Sequence, residues 1–329
     1  MKIGLLSDAV NFPSIPLMKL SAHHKARGDT VKLIDDFSEH FDVAYCSKSF
    51  NLPLIKKIPT LPRLPLADKV FSGGTGFAIE TSDGKERYDK LNDGALPAEV
   101  EHSYPDYGLY PELTKGTAFG FLTRGCPNAC PFCVVSGKEG LCSLQTAELS
   151  EFWRGQRKIK LMDANLLACK DRERLIRQLA ESSAEINFVQ GLDARFVDSD
   201  IAEILCKCQI GAAHFAFDLI KNERAIIRGL ELFRAAFKGN ERALKVYILT
   251  NYNTDHAEDW YRVKRVMELG YQPDVRIYQK GTHDRFLTDL ARWANNRRLY
   301  RACRFEDYVP RVDGLRCREL YGDIIGKGT

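Results

Sequence analysis

The chain has 329 residues, 44% of them apolar and 28% charged, with a formal net charge of +4. These proportions are ordinary for a globular protein and allow a sizeable core in one large or two unequal domains. No apolar run approaches the roughly 20 residues that span a bilayer, so no membrane partner is expected, and the mild charge decides neither for nor against a nucleic acid. The opening MKIGLLSDAV lacks the basic start and cleavage site of a signal peptide. Ten cysteines in such a chain fit a reducing compartment, so a cytoplasmic location is expected.

Residues 1–80 read as a small α/β unit. Strands are expected over Lys2–Leu6, Thr30–Ile34, Val43–Cys46 and Lys69–Ser72. A loop is expected over Pro13–Pro16 and a helix over Leu17–Arg27, stopped by Gly28. Strand, helix and strand with short links imply parallel pairing. His23 and His24 on that helix read as solvated surface residues. Gly73–Gly76 reads as a tight turn, or as backbone approaching a phosphate or cofactor. The proline-rich Asn51–Pro65 stands where a helix would be expected.

Residues 81–115 carry Gly84, Gly94, Pro97, Pro105 and Pro111 among charges and read as a linker arm. Its Tyr104, Tyr107 and Tyr110 either pack against the next domain or line a substrate mouth.

From 116 to 305 strands and helices alternate. The strands are Ala118–Thr123, Lys158–Met162, Asn187–Gln190, Ala213–Phe217, Leu244–Leu249 and Asp274–Tyr278. The helices are Arg172–Ser182, Ser199–Cys208, Glu223–Phe237 and Ala257–Leu269, the last stopped by Gly270. Their connections should be right-handed crossovers. Cys206 and Cys208, two apart on a helical pattern, point away from each other and are not read as a ligand pair. Arg285–Arg304 interleaves six arginines with Trp293 and Tyr300. It reads as a solvated helix face over buried aromatics, with RNA binding the other reading. Residues 306–329 read as a short packed tail with a frayed end.

The stretch Thr123–Val135, TRGCPNACPFCVV, spaces Cys126, Cys130 and Cys133 as C-x3-C-x2-C. Pro127 and Pro131 keep it non-helical and hold the cysteines close in sequence. An iron–sulfur cubane ordinarily takes four cysteines, so three leave one iron open to a small molecule. Phe132 adds a flat apolar surface beside it. With Cys142 as a fourth ligand the same loop would make a closed zinc or electron-transfer site.

An isolated C-x3-C-x-aromatic-C resembles the radical S-adenosylmethionine (SAM) superfamily. The resemblance implies a three-cysteine 4Fe–4S cluster, with SAM chelated at the open iron and cleaved reductively to a 5′-deoxyadenosyl radical. It also implies an external one-electron reductant, flavodoxin- or ferredoxin-like. The expected fold is a partial (β/α)6 radical SAM barrel over 116–305. The small Rossmann-like domain at 1–80 resembles, in shortened form, the cobalamin-binding domain that precedes many such barrels. The Asp-x-His-x-x-Gly motif of that domain is absent, so any cobalamin would bind without a protein histidine on cobalt.

In α/β barrels the chemistry gathers at the carboxyl ends of the strands. By resemblance, MDAN replaces the usual Gly-Gly-Glu, which makes Asp163 and Asn165 the candidates for the SAM ammonium. In GLDAR, Arg195 is a candidate for the SAM carboxylate, with an Asp193–Arg195 structural pair as the alternative; Gln190 is a candidate for a ribose hydroxyl. Asp218 is either a strand-end cap or a ligand group for SAM or substrate; Asn251 and Asn253 of TNYNT are candidates for adenine, and Tyr278 either lines the adenine pocket or packs in the core. Three functional classes follow. The first is a radical SAM enzyme of unknown substrate. The second is a cobalamin-dependent methyltransferase of the same superfamily. The methylthiotransferases resemble the chain at the cysteine motif, but only Cys46 precedes Cys126, too few for their second cluster. The third is a non-enzymatic iron–sulfur or zinc protein.

Overall fold

The computed structural model describes residues 1–9, 11–49, 64–82, 85–278, 284–311 and 314–326. The proline-rich Asn51–Pro65 lies, up to residue 63, outside the described residues. The chain is a mixed α/β protein that divides into two compact units, Met1–Lys160 and Leu161–Thr329.

In the first unit, strands β1 (Lys2–Ser7), β2 (Thr30–Leu33), β3 (Phe41–Ser47) and β4 (Ala67–Gly73) form a parallel sheet of order β2-β1-β3-β4. Ile3 and Leu5 of β1 pack with Leu17 and Leu20 of the helix Ile15–Ala26 and with Val100. Leu6 faces a second cluster with Ile34, Phe41, Ala44 and Cys46. The alternation of side chains along a strand puts these neighbours on opposite faces. The helix begins earlier than the prolines suggest. Pro16 lies in its first turn, where a missing N–H leaves no intrahelical bond unmade.

His24, expected at the surface, is buried, with Nδ1 2.7 Å from Asp29 Oδ2 and Nε2 3.1 Å from the Tyr45 hydroxyl. The Gly73–Gly76 turn packs on Lys48: a Cβ on Gly74, at φ +106°, would stand 2.5 Å from the Lys48 carbonyl, and Gly76 N donates to that carbonyl at 2.9 Å. Backbone packing accounts for those glycines.

A hairpin of β5 (Ile79–Ser82) and β6 (Lys85–Tyr88) follows. Tyr107 and Tyr104 bond within the unit: Tyr107 Oη donates to the Phe152 carbonyl at 2.6 Å, and Tyr104 Oη accepts from Gln156 at 2.6 Å. The strand expected over Ala118–Thr123 is broken into β7 (Thr117–Gly120) and β8 (Thr123–Arg124). Two further strands follow, β9 (Leu144–Gln145) and β10 (Lys158–Leu161).

The second unit contributes β11 (Glu185–Leu192), β12 (Gln209–Ala216), β13 (Leu244–Thr250) and β14 (Gln272–Ile277), paired in parallel. They belong to a six-stranded sheet of order β14-β13-β12-β11-β10-β7, in which spatial neighbours follow chain order. Three of the helices begin where a side chain satisfies an otherwise orphaned amide. Asp198 accepts from Ile201 N, Asp255 from Glu258 N and Asp284 from Leu287 N, each cap worth about 1 kcal/mol. The helix expected to reach Cys208 ends at Leu205, so Cys206 caps it and Cys208 directly precedes β12. Burial pushes the Cys206 and Cys208 thiols up to about 11 and about 12, which disfavours the reactive thiolate.

Along β11–β13 one face is buried through Ile186, Phe188, Ala213, Phe215, Leu244, Val246 and Ile248, and the alternate residues are partly exposed. Phe215 packs edge-on against Phe233 and Tyr271. The six arginines of Arg285–Arg304 are exposed over buried Trp293, which packs against Phe305. Phe305 is fully buried and Cys317–Ile325 forms a helix, so the C-terminal stretch has regular structure of its own. Among the described residues no helix is long and apolar enough to cross a membrane.

Candidate functional site

The cysteine loop belongs to the first unit. β8 and β9 pair antiparallel, Thr123 with Gln145 and Arg124 with Leu144, and everything between them is one closed excursion. Glu139 clasps its base, accepting from Arg124 Nη1 at 3.0 Å and from the Gly125 amide at 3.0 Å. The Arg124 guanidinium also lies 3.5 Å from the centre of the Phe121 ring. Gly125 has φ +90°, and a Cβ there would stand 2.1 Å from the Cys142 carbonyl oxygen. Only glycine lets the two arms of the excursion approach so closely. Within the loop, Cys126 N donates to Gly140 O at 3.2 Å and Cys133 N donates to Cys130 O at 3.0 Å, while Ala129 takes a left-handed turn at φ +45°.

Cys126 and Cys130 are half-buried, and Cys133 and Cys142 are exposed. Phe132 is half-buried beside them in sequence. Among the described residues, no three His, Cys, Asp or Glu side chains surround a point that one metal ion could occupy. A 4Fe–4S cluster makes a different demand, because its thiolates bind separate irons of a cube. Three cysteine sulfurs on one short non-helical loop, none of them fully buried, fit that donor set.

In the second unit the polar candidates stand mostly just beyond the strand ends. Asp163 and Asn165 are both buried. Asn165 Oδ1 accepts from Ala168 N at 3.2 Å and its Nδ2 donates to Asp193 Oδ2 at 3.2 Å. Asp193 takes a two-pronged grip from Arg195, Nε to Oδ1 at 2.8 Å and Nη2 to Oδ2 at 2.7 Å. Of the two readings of GLDAR, the structure forms the internal pair, and the guanidinium fork expected to meet a SAM carboxylate is engaged on Asp193.

Asp218 accepts from the Leu249 amide at 2.9 Å. Burial, reinforced by the nearby Asp193 charge and opposed by that amide and by Arg262, raises the Asp218 carboxyl to about 6. Asn251 and Asn253 both adopt positive φ, +64° and +52°, which lets TNYNT turn sharply without glycine. Asn251 Nδ2 donates to Tyr278 O at 3.0 Å, and the Tyr278 ring meets Tyr252 edge-on at 5.0 Å.

The residue that ties these ends together is Arg262, which sequence reasoning missed. It is wholly buried on the helix His256–Glu268. Its Nη1 donates to Phe217 O at 3.0 Å and Asp218 O at 2.8 Å; its Nη2 donates to Leu249 O at 2.9 Å and Asp259 Oδ1 at 2.5 Å. Asp259 Oδ2 in turn accepts from Asn251 N at 3.2 Å. One guanidinium thus holds the carboxyl ends of β12 and β13 and, through Asp259, the start of the asparagine turn.

Gln190 stands apart. It is exposed inside β11 rather than at its end, at a break in the ladder where Phe188 pairs with Ala213 but the next pair is Gly191 with His214. Asn165, Asp193 and Arg195 therefore form one cluster; Asp218 and Asn251 are held through Arg262 and Asp259, and Tyr278 is joined to Asn251. No protein-family model matches the chain, and a search of curated proteins finds no match, so any functional reading rests on the residues themselves.

Proposed function

We propose that the chain is a radical SAM enzyme. Cys126, Cys130 and Cys133 would hold the 4Fe–4S cluster. When bound, the cluster supplies one electron, drawn from an external reductant, for reductive cleavage of SAM to a 5′-deoxyadenosyl radical that abstracts hydrogen from a substrate. The single observation that carries this reading is the set of three cysteines gathered on one clasped loop that follows the first strand of a parallel sheet. Two features support it. Neighbouring strands follow chain order, as a partial (β/α)6 barrel requires, and right-handed crossovers then place the helices on one face. Polar groups also succeed one another at the ends of β11, β12 and β13.

The chain's own residues have distinct tasks in this reading. Asp163, buried, is the carboxylate offered to the SAM ammonium. Asn165 holds Asp193 in place, and Arg195 balances the Asp193 charge at the rim. Asp218, with its carboxyl raised to about 6, holds or releases a proton near neutral pH. Arg262 fixes the two strand ends on which Asp218 and Asn251 sit. A cytoplasmic site of action and the reductant partner are parts of the same proposal.

One observation favours a second reading. The exposed Cys142, whose carbonyl lies against Gly125, is a possible fourth thiolate for a closed zinc or iron–sulfur site. The test is anaerobic reconstitution with iron and sulfide, followed by SAM and dithionite. The enzyme reading predicts 5′-deoxyadenosine from the native chain and none from Cys126→Ala, Cys130→Ala or Cys133→Ala. Product surviving any of these three changes sinks it. Absorbance of retained cobalamin in the same preparation separates the methyltransferase alternative.

A further inference from the structure

The four parallel strands of the second unit bury one face on apolar side chains, yet the other carries half-exposed polar groups. Parallel sheets ordinarily have both faces covered by apolar packing. That half-exposed face is also unusually organised. The His214 and Tyr247 rings stack at 5.0 Å with 5° between their planes, and the Arg276 guanidinium lies 5.0 Å from the centre of the Tyr247 ring. Three planar groups from three successive strands thus form one diagonal row.

The β11 irregularity anchors that row. Between Phe188 and Gly191 the ladder shifts register, so carbonyls there lose their strand partners. His214 Nδ1 lies 2.8 Å from Phe188 O, and Tyr247 Oη donates to Val189 O at 3.2 Å. A carbonyl only accepts, so Nδ1 of His214 carries the proton and Nε2 is the acceptor side of the neutral ring. Burial favours that neutral form.

Charge is equally particular. Asp274 forms ion pairs with Arg276, whose Nε lies 2.8 Å from Oδ1, and with Lys245, whose Nζ lies 3.6 Å from Oδ2. Two cations share one carboxylate, which leaves one positive charge in excess beside the stack. The Arg276 side chain is 58% exposed. Next to Tyr247 the neighbouring positions are small, Gly191 and Ala216.

We propose that this face binds the substrate, and that the substrate is a flat organic anion bearing an N–H or O–H donor. Its acidic group meets Arg276 and Lys245, its planar part lies along the Tyr247 row, and its donor bonds Nε2 of His214. The fate of the bound molecule rests on the radical SAM reading; the binding itself needs neither cluster nor SAM.

The test uses the full chain as purified, labelled at histidine, with His214 assigned through His214→Gln. The probes are 4-hydroxybenzoate and its uncharged analogue 4-hydroxybenzyl alcohol. Expected is a saturable shift of the His214 ring resonances with the benzoate. Binding should be roughly tenfold weaker with the alcohol and in Arg276→Gln, while Arg276→Lys retains part of the affinity. An unmoved His214 resonance, or equal affinity in Arg276→Gln, overturns the proposal. Binding without 5′-deoxyadenosine formation would instead count against the reaction, so the two failures are distinguishable.

Discussion

Replacing Arg262 by methionine removes the clamp without opening a large cavity. In the native chain the guanidinium donates to Phe217 O, Asp218 O and Leu249 O and pairs with Asp259, all without solvent exposure of Arg262 itself. Breaking a buried ion pair by deleting one partner costs about 3–5 kcal/mol, because the remaining carboxylate stays buried and uncompensated. Three main-chain carbonyls also lose a donor, at about 1 kcal/mol each where ladder bonds do not compensate. Against a typical domain stability of about 5–15 kcal/mol, Arg262→Met should be severely destabilising. Asp259→Leu alone should cost less, since Arg262 keeps its three carbonyl acceptors and has Glu258 at 3.8 Å. The double variant should be more stable than Arg262→Met. Equilibrium urea unfolding of the four proteins closes the cycle, with a coupling of at least about 1.5 kcal/mol expected. A cost for Arg262→Met under about 1 kcal/mol, or additive single effects, refutes the clamp.

Three further substitutions probe separate contacts. At Gly229, in the helix Glu223–Ala236, an added Cβ would stand 1.8 Å from Ala194 O, so Gly229→Ala should cost about 1–3 kcal/mol in urea unfolding. Gly125→Ala should lower the iron bound per chain after reconstitution while far-ultraviolet circular dichroism stays native, because φ +90° and the Cys142 carbonyl both oppose a Cβ there. Asp218→Asn keeps the acceptor for Leu249 N and removes the charge. The folded carboxyl is raised from 3.8 to about 6, so the native chain loses stability as pH rises through that interval. The variant should therefore be the more stable protein at pH values well above about 6, by up to about 3 kcal/mol, with the advantage gone below the unfolded value. Equal pH profiles for the two proteins would remove Asp218 from the account.

Much of the architecture is legible because strand and helix periods are local. The strands from Lys158 onward appear within a few residues of their expected bounds, since β-branched and aromatic residues alternate there with polar ones. The cysteine loop is legible because its chemistry is carried by spacing alone. The site's wiring is not, because it depends on contacts distant in sequence. Arg262 sits in a helix rich in charged residues and looks like any solvated arginine until the carbonyls of β12 and β13 come up to meet it. Gln190 looks like a strand end because the register shift that follows Phe188 depends on the pairing with β12. His214 and Tyr247 were within reach, since Ala-His-Phe-Ala and Lys-Val-Tyr-Ile already show polar residues at every second position. Arg195 shows the opposite case, where a residue suited to an external carboxylate closes on the one two positions away.

The central claim is a cluster gripped by three sulfurs with one corner left for SAM. It is tested most directly by electron paramagnetic resonance of the reconstituted, dithionite-reduced chain, recorded with and without SAM. The account predicts a reduced-cluster signal that changes when SAM is added and is absent from Cys130→Ala. A signal indifferent to SAM, or one that needs Cys142 as much as Cys130, would contradict it.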